Sequence, residues 1–331
     1  MITDPLPRVD IAHLPTPLEP LPRLSARLHG PELWVKRDDQ TGLVTGGNKA
    51  RKLEFLVADA LAEQADTLIT CGAAQSNHAR QTAAAAAKFG LDRVLVLAGE
   101  PPGRIRGNLL LDHLLGAELV WSGDRAPPEK METVAEELRG NGRRPYVIPY
   151  GGSNAVGASG YAAALDELLS QCAERDQRFD HIVLASSSGG TQAGLCLAAR
   201  ALGFEGRILG ISVEPSAEDL RSNLAELASD TARLLGLELA FEPRDFEVDD
   251  GYVGGGYGVI SDLERDAIRT LAREEALLLD PVYTGRAFGG LIDLIHKGAL
   301  PPDDKVLFWH TGGTGGLFAR GGDLFERAGS G

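Results

Sequence analysis

A lysine set directly behind two glycines and an amide offers a nucleophilic amine at the mouth of a helix. In Thr45-Gly46-Gly47-Asn48-Lys49-Ala50-Arg51-Lys52-Leu53-Glu54, Gly46-Gly47 is a turn signal, because glycine enters backbone regions closed to other residues. Asn48 reads as an N-cap, its side-chain oxygen accepting an orphan N–H of the first turn. Leu53, Leu56, Val57, Ala60 and Leu61 recur at helical spacing, which places Lys49 in the first turn of an amphipathic helix. The positive helix end disfavours a cation there by a few tenths of a kcal/mol to about 1 kcal/mol. It thereby favours the neutral amine that attacks an aldehyde. On this stretch alone, a solvated lysine after a turn is the plainer reading, and the rest of the chain reverses it.

Five further stretches carry polar groups on glycine turns. Ser186-Ser187-Ser188-Gly189-Gly190-Thr191-Gln192-Ala193-Gly194 follows an apolar run and opens a helix, presenting N–H groups, hydroxyls and a positive helix end to an anion. It lacks the lysine of a P-loop and is not GxGxxG; a phosphate cradle and a small-residue turn fit it equally. Cys71-Gly72-Ala73-Ala74-Gln75-Ser76-Asn77-His78 is read as helix caps or as a second small-ligand cradle with Ser76, Asn77 and His78 facing a cleft. Tyr257 and Tyr283 sit among glycines at 254–258 and 280–285, and a phenol beside a cleft can donate a proton. His310-Thr311-Gly312-Gly313-Thr314-Gly315-Gly316 is a flexible turn or a source of hydroxyls and amides for a ligand ring. A phosphate cradle together with a Schiff-base lysine is what pyridoxal phosphate requires.

The elements that must position these groups alternate. Residues 1–31 read as a proline-rich arm with one short helix, followed by a strand at 33–36. Helices are expected from Lys49, at 76–88, 107–115 and 128–138, with strands at 67–70, 93–97, 118–121 and 146–149 between and after them. A second series has helices at 157–174, 191–202, 216–235 and 262–275 and strands at 181–185, 207–213 and 305–309. Such alternation predicts parallel βαβ units, in two open, mostly parallel α/β domains. Ligands in such sheets bind outside the carboxyl ends of the strands, where the glycine turns fall.

The composition narrows the class. The chain has 331 residues, a net charge of −14 and 43% hydrophobic residues, ordinary for a globular protein with two domains or one large α/β unit. No basic stripe is present, which argues against nucleic acid. Cys71, Cys172 and Cys196 are widely spaced and odd in number, and the seven histidines show no HExxH; neither a disulfide framework nor a metal site is expected. The start lacks a basic n-region and an apolar h-region, and no apolar run reaches membrane-spanning length. A cytoplasmic protein is expected.

Taken together, these motifs resemble the fold-type II pyridoxal-phosphate enzymes, the tryptophan synthase β group. Within them the chain looks like the branch of D-cysteine desulfhydrases and 1-aminocyclopropane-1-carboxylate deaminases. Pro15-Thr16-Pro17-Leu18, Lys36-Arg37-Asp38-Asp39, Gly46-Gly47-Asn48-Lys49, Gln75-Ser76-Asn77-His78, Gly151-Gly152-Ser153-Asn154, Asp280-Pro281-Val282-Tyr283-Thr284-Gly285 and His310-Thr311-Gly312-Gly313 carry the resemblance over nearly the whole chain. It implies a large cofactor-binding domain (1–45 plus 160–331), a small domain (46–159), a cofactor in the cleft between them, and a homodimer. It implies that Lys49 forms the Schiff base with the cofactor, that Asn77 bonds its phenolic oxygen, that Ser188, Gly189, Gly190 and Thr191 hold its phosphate and that Thr311 faces its ring nitrogen. Ser76, Asn77 and His78 would receive the substrate carboxylate, and Tyr257 and Tyr283 would lie on the leaving-group side. Ser187 stands where the branch has glycine, and Thr314 where many members have alanine.

Within the branch, the deaminases carry glutamate after the tyrosine of the DPVY motif and leucine at the position of Thr311. Thr284 and Thr311 match the desulfhydrase pattern. An acidic partner would keep the ring nitrogen protonated and the electron sink strong; a weaker sink suffices when thiolate leaves. The expected reaction is therefore α,β-elimination from a small amino acid, D-cysteine first, giving pyruvate, ammonia and hydrogen sulfide. Lys49 or Ser76 would take the α-proton, and Tyr283 would protonate the leaving group. L-cysteate sulfo-lyase and 1-aminocyclopropane-1-carboxylate deaminase are the alternatives. A non-catalytic pyridoxal-phosphate or amino-acid binding protein, or an anion-binding protein without cofactor, is the rival from another class.

Overall fold

The computed structural model describes residues 1–325; residues 326–331, assigned above to the large domain, lie outside the described residues. In chain order the elements are β1 (Leu18–Pro20), α1 (Pro22–Leu28), β2 (Glu32–Lys36), α2 (Lys49–Ala62), β3 (Thr67–Gly72), α3 (Asn77–Lys88), β4 (Asp92–Leu97), α4 (Asn108–Leu114), β5 (Glu118–Trp121), α5 (Pro127–Gly140) and β6 (Pro145–Ile148). There follow α6 (Ala155–Glu174), β7 (His181–Ser186), α7 (Gly190–Leu202), β8 (Arg207–Ser212), α8 (Ala217–Leu234), β9 (Glu247–Asp249), α9 (Asp262–Glu275), α10 (Thr284–His296), β10 (Lys305–Trp309), α11 (Thr314–Ala319) and α12 (Gly321–Phe325). The strands form a six-stranded sheet, β1-β2-β10-β7-β8-β9, and a four-stranded sheet, β5-β4-β3-β6. Every pairing is parallel except β1 with β2. The molecule is thus α/β with mostly parallel sheets in two domains.

Both faces of the larger sheet are buried, as parallel sheets require. Along β10, Leu307 and Trp309 join Tyr161 and Leu165 of α6 in one core. Val306 and Phe308 join Leu271 of α9 and Phe288 of α10 in the other, following the period-two alternation of a strand.

The expected strands and most helices stand within a few residues of their predicted bounds. The helix α10 was not anticipated, since Gly285, Gly289 and Gly290 dilute its helical signal. Packing explains one of them: a Cβ on Gly289 would come 2.6 Å from Leu263 Cγ of α9. Asn48 does not cap α2 with its side chain. It has helical dihedrals, and its amide is drawn across the cleft to donate to Thr191 Oγ1 at 3.0 Å.

The approach to α2 is a turn of left-handed helix. From Gly42 to Gly47 every φ is positive, Leu43, Val44 and Thr45 included, and Gly46 N donates to Gly42 O at 2.6 Å. Each L-residue costs about 1–2 kcal/mol in that conformation. The Arg80 guanidinium offsets this by donating to the carbonyls of Leu43, Val44 and Gly46, and Gln81 Nε2 adds a bond to Gly46 O at 2.9 Å. A Cβ at Gly46 would sit 1.9 Å from Asp39 O, so only glycine fits there.

Beyond Lys49, α2 is anchored to the large sheet by a buried network. Asp38, with no exposed surface, accepts from Arg51 Nε and Nη2, both at 2.9 Å, from Thr16 Oγ1 at 2.9 Å, from Tyr161 Oη at 2.7 Å and from Trp309 Nε1 at 2.8 Å. Glu167 accepts from Arg51 Nη1 at 2.9 Å and Lys36 Nζ at 2.6 Å.

Candidate active site

Four strands end on one cavity. The loops after β3, β6, β7 and β10, with the first turn of α2, enclose about 640 Å³, part of it open to solvent. Its walls include Lys49, Ser76, Asn77, His78, Ser188, Gly189, Thr191, Tyr283 and Thr311. Three expected residues stand behind the wall. Gly190 N donates to Ser153 Oγ at 3.1 Å. Tyr257 Oη shares a 2.7 Å hydrogen bond with Tyr283 Oη. Thr284 is fully buried, its hydroxyl donating to Asp280 Oδ1 at 2.8 Å, so it presents no free group to a substrate.

Lys49 as a residue is half-buried because it faces the cavity, yet protein surrounds its amine. Burial pushes that amine down to about 8, and a hydrogen bond with Lys52 opposes the shift. Lys52, three residues on and therefore on the same helix face, is 1% exposed. Its Nζ donates to Gly151 O and Ser153 Oγ, both at 3.1 Å. Burial, and then the charge of Lys49, hold the Lys52 amine well below its ordinary value. Two adjacent buried amines with no carboxylate in the cavity wall among the described residues call for an anion.

The strand-to-helix turn before α7 supplies the rest of an anion site. Ser153 Oγ and Ser188 Oγ are 2.8 Å apart. A Cβ on Gly190 would stand 2.7 Å from Ser153 Oγ and 2.9 Å from Lys52 Nζ, so a side chain there would fill the cradle. Two amines, two serine hydroxyls and the N–H groups opening α7 fit a phosphate.

Opposite this cradle, α3 points its N-terminus into the cavity. Ser76 Oγ accepts from Ala79 N at 3.1 Å, which leaves its hydroxyl hydrogen free. His78 lines the cavity as expected, with its ring turned to Thr70. Thr70 Oγ1 donates its one hydrogen to Ile148 O at 2.8 Å, so it can only accept from His78 Nε2 at 2.9 Å. The ring hydrogen is thereby committed, and His78 Nδ1 is a buried acceptor with no partner among the described residues. Burial, with the charges of Lys49 and Lys52, keeps the imidazole well below its ordinary pKa and neutral. His78 offers an anion its backbone N–H, not its ring.

Thr311 holds the loop after β10 against α2, its carbonyl accepting from Asn48 N at 3.0 Å. Its hydroxyl has no hydrogen-bond partner among the described residues. The tyrosines are held by buried neighbours: Arg286 donates to Gly256 O at 3.1 Å and Val259 O at 2.7 Å, fixing the Tyr257 loop. Burial raises the Tyr283 phenol well above its usual range and raises Tyr257 as well, so both keep their protons at neutral pH.

Sequence reasoning passed over Lys52, Ser153 and Tyr150. Tyr150 also lines the cavity, with a phenol pushed up first by burial and then by Tyr257. The i, i+3 spacing of Lys49 and Lys52 was the available signal for Lys52. None existed for Tyr150 before the β6 loop was seen to enter the cavity. Buried thiols complete the inventory: burial pushes Cys71 up to about 11 and Cys196 up to about 12, and raises Cys172 too.

A partly neutral amine beside a phosphate cradle, at the carboxyl ends of parallel strands, defines an enzyme that works through a phosphorylated aldehyde cofactor. The profile of the family described as "Pyridoxal-phosphate dependent enzyme" matches residues 9–312, and the chain belongs to that family. It is similar to a D-cysteine desulfhydrase of Salmonella choleraesuis, 45% identical over 95% of this chain and 96% of that protein. It is also similar to a Pyrococcus abyssi protein provisionally named 1-aminocyclopropane-1-carboxylate deaminase, 44% identical over 97% of this chain and 96% of the other. The crystal structure of an ACC deaminase homologue superposes with a TM-score of 0.90 at 42% identity, over 98% of this chain and 97% of that one. A threonine deaminase structure at 24% identity and TM-score 0.65 shares the fold. The chain is therefore a pyridoxal-phosphate enzyme of the desulfhydrase and deaminase branch.

Proposed function

We propose that the enzyme catalyses α,β-elimination from D-cysteine, converting it with water to pyruvate, ammonia and hydrogen sulfide. The observation carrying this reading is the wall around Thr311: a free hydroxyl and no carboxylate stand where a ring nitrogen would need an acidic partner to become a strong electron sink. Bound pyridoxal phosphate supplies a moderate sink for the electron pair left at the α-carbon, enough when the β-substituent leaves as thiolate.

The chain's own groups divide the work. Lys52, Ser153, Ser188, Gly189, Gly190 and Thr191 hold the phosphate, and Lys49 holds the aldehyde carbon. Asn77 donates to the phenolic oxygen. Ser76 Oγ and the N–H groups of Asn77 and His78 receive the substrate carboxylate at the positive end of α3. The Lys49 amine takes the α-proton, with Ser76 as the second base. Tyr283 donates a hydrogen bond to the departing sulfur, and Tyr257 orients that phenol.

Deamination of 1-aminocyclopropane-1-carboxylate is the second reading, supported by the similar Pyrococcus abyssi protein; L-cysteate elimination is a third. Purified holoenzyme is to be offered D-cysteine, L-cysteine, L-cysteate and the cyclopropane amino acid, with pyruvate and sulfide measured together. Equimolar pyruvate and sulfide from D-cysteine alone is the expected result. Pyruvate from the cyclopropane amino acid without sulfide from D-cysteine would replace the first reading by the second. The reading includes a homodimer in the cytoplasm, for which the molar mass in solution should be twice that of the chain.

A further inference from the structure

The amide of Asn77 faces the cavity with one particular end, and the cause lies outside the cavity. Asn108 opens α4, fully buried. Its Oδ1 accepts from Arg80 Nε at 3.3 Å. Its Nδ2 donates to Gln75 O at 2.8 Å and to Asn77 Oδ1 at 2.8 Å, and its backbone N donates to Gln75 Oε1 at 2.9 Å.

Two of these partners leave no choice. A guanidinium only donates, so the Asn108 atom facing Arg80 must be the oxygen; a backbone carbonyl only accepts, so the atom facing Gln75 O must be the NH2. The second hydrogen of that NH2 then meets Asn77, which must present its own oxygen. The Asn77 NH2 is the end left over, and it has no hydrogen-bond partner among the described residues. We infer that Asn108 is a positioning residue that, oriented by Arg80, fixes the Asn77 amide so that a donor rather than an acceptor meets the cofactor's phenolic oxygen.

The packing around Asn108 supports a built contact. A Cβ on Gly107 would come 2.5 Å from Gln75 Oε1, and a Cβ on Gly315 would come 2.1 Å from Asn108 Oδ1. Glycine at 315 lets the α11 backbone close on the Asn108 amide, and glycine at 107 leaves room for the Gln75 amide that bonds it. Arg80, in turn, also clamps the left-handed turn that leads to Lys49, so one guanidinium aligns both the amine and the amide.

The inference rests on the reading that Asn77 meets the phenolic oxygen, and a double-mutant cycle separates the two. Apoenzyme of the wild type, N77A, N108A and N77A/N108A is titrated with pyridoxal phosphate, following tryptophan fluorescence and the visible band. Each single variant should weaken binding about ten- to a hundredfold, the scale of one hydrogen bond to a charged group. Each should also shift the absorbance toward the form with a protonated phenol. The double variant should bind no more weakly than the weaker single, because Asn108 acts through Asn77.

A purely structural Asn108 would give multiplied losses, and that result overturns the inference. So does wild-type binding by N108A. Wild-type binding by N77A overturns both the inference and the role of Asn77. N108D covers the case in which N108A fails to fold: its carboxylate still accepts from Arg80 but turns the Asn77 NH2 away from the cavity. N108D should therefore reproduce the spectral shift, and an unshifted spectrum in a folded N108D protein sinks the proposal.

Discussion

Lys49 and Lys52 are one residue type with buried amines at one cavity, and their fates diverge with position. An amine at about 8 is roughly one-tenth neutral at pH 7, where a free lysine is roughly four parts in ten thousand neutral. Capture of pyridoxal phosphate by the apoenzyme should therefore accelerate roughly fivefold from pH 7 to pH 8 and level off above about pH 9, which stopped-flow absorbance measures. Lys49→Ala should abolish the covalent cofactor band and turnover. Lys52→Ala should keep the band while weakening cofactor binding at least roughly tenfold, since it removes a charge-assisted phosphate contact. Asp112 makes an opposite case. Its carboxylate is fully buried with neither oxygen bonded among the described residues, and burial pushes it up to about 7 against the pull of Arg80. An acid whose folded pKa is raised destabilises the fold once pH exceeds its unfolded value, and the penalty grows until pH passes the folded value. Asp112→Asn should accordingly raise the melting temperature at pH 8 and change it little near pH 4. Lys49 was legible because glycines announce it. Asn108 was not, because its partners Gln75 and Asn77 are about thirty positions away in sequence.

At the scale of elements, α2 is where local signals and long-range bonds meet. Its apolar spacing was readable, and so was the glycine turn before it. The left-handed run from Gly42 to Gly47 was not, because Leu43, Val44 and Thr45 take positive φ only under the hold of Arg80 from another helix. The Asn48 reading failed for a related reason: a local cap lost to a partner across the cleft. The helix α10 escaped because its glycines dilute the helical signal, and Gly289 serves packing against α9, a tertiary demand that propensity does not record. The Asp38 network predicts that Asp38→Asn destabilises the protein by about 3–5 kcal/mol, since one partner of a buried, multiply bonded ion pair is removed. The midpoint of urea unfolding measures it, and an unchanged midpoint would remove Asp38 as the anchor of α2.

Across the whole molecule, alternation of strands and helices announced the two parallel sheets, and glycine turns marked the strand ends that became the cavity. The convergence of four loops from two sheets was not contained in any local pattern. The buried acids set the acid limit of the fold. Burial raises Asp38 and Glu167, but Arg51 and their other donors outweigh it and hold both below their ordinary values. Their stabilisation is present above the unfolded carboxylate pKa and is lost as pH falls through the depressed folded values. Loss of far-ultraviolet ellipticity should therefore begin below about pH 4, and Asp38→Asn should flatten that dependence. One last consequence follows from the three thiols. Under the proposed reaction the enzyme lives in a bath of its own making, where substrate is a thiol, product is sulfide, and any oxidant turns both into disulfides and polysulfides. Thiolates attack the sulfur of those species, and Cys71, Cys172 and Cys196 carry almost no thiolate at neutral pH. The chain offers its own chemistry nothing to bite on, so its working life is set by unfolding rather than by sulfur.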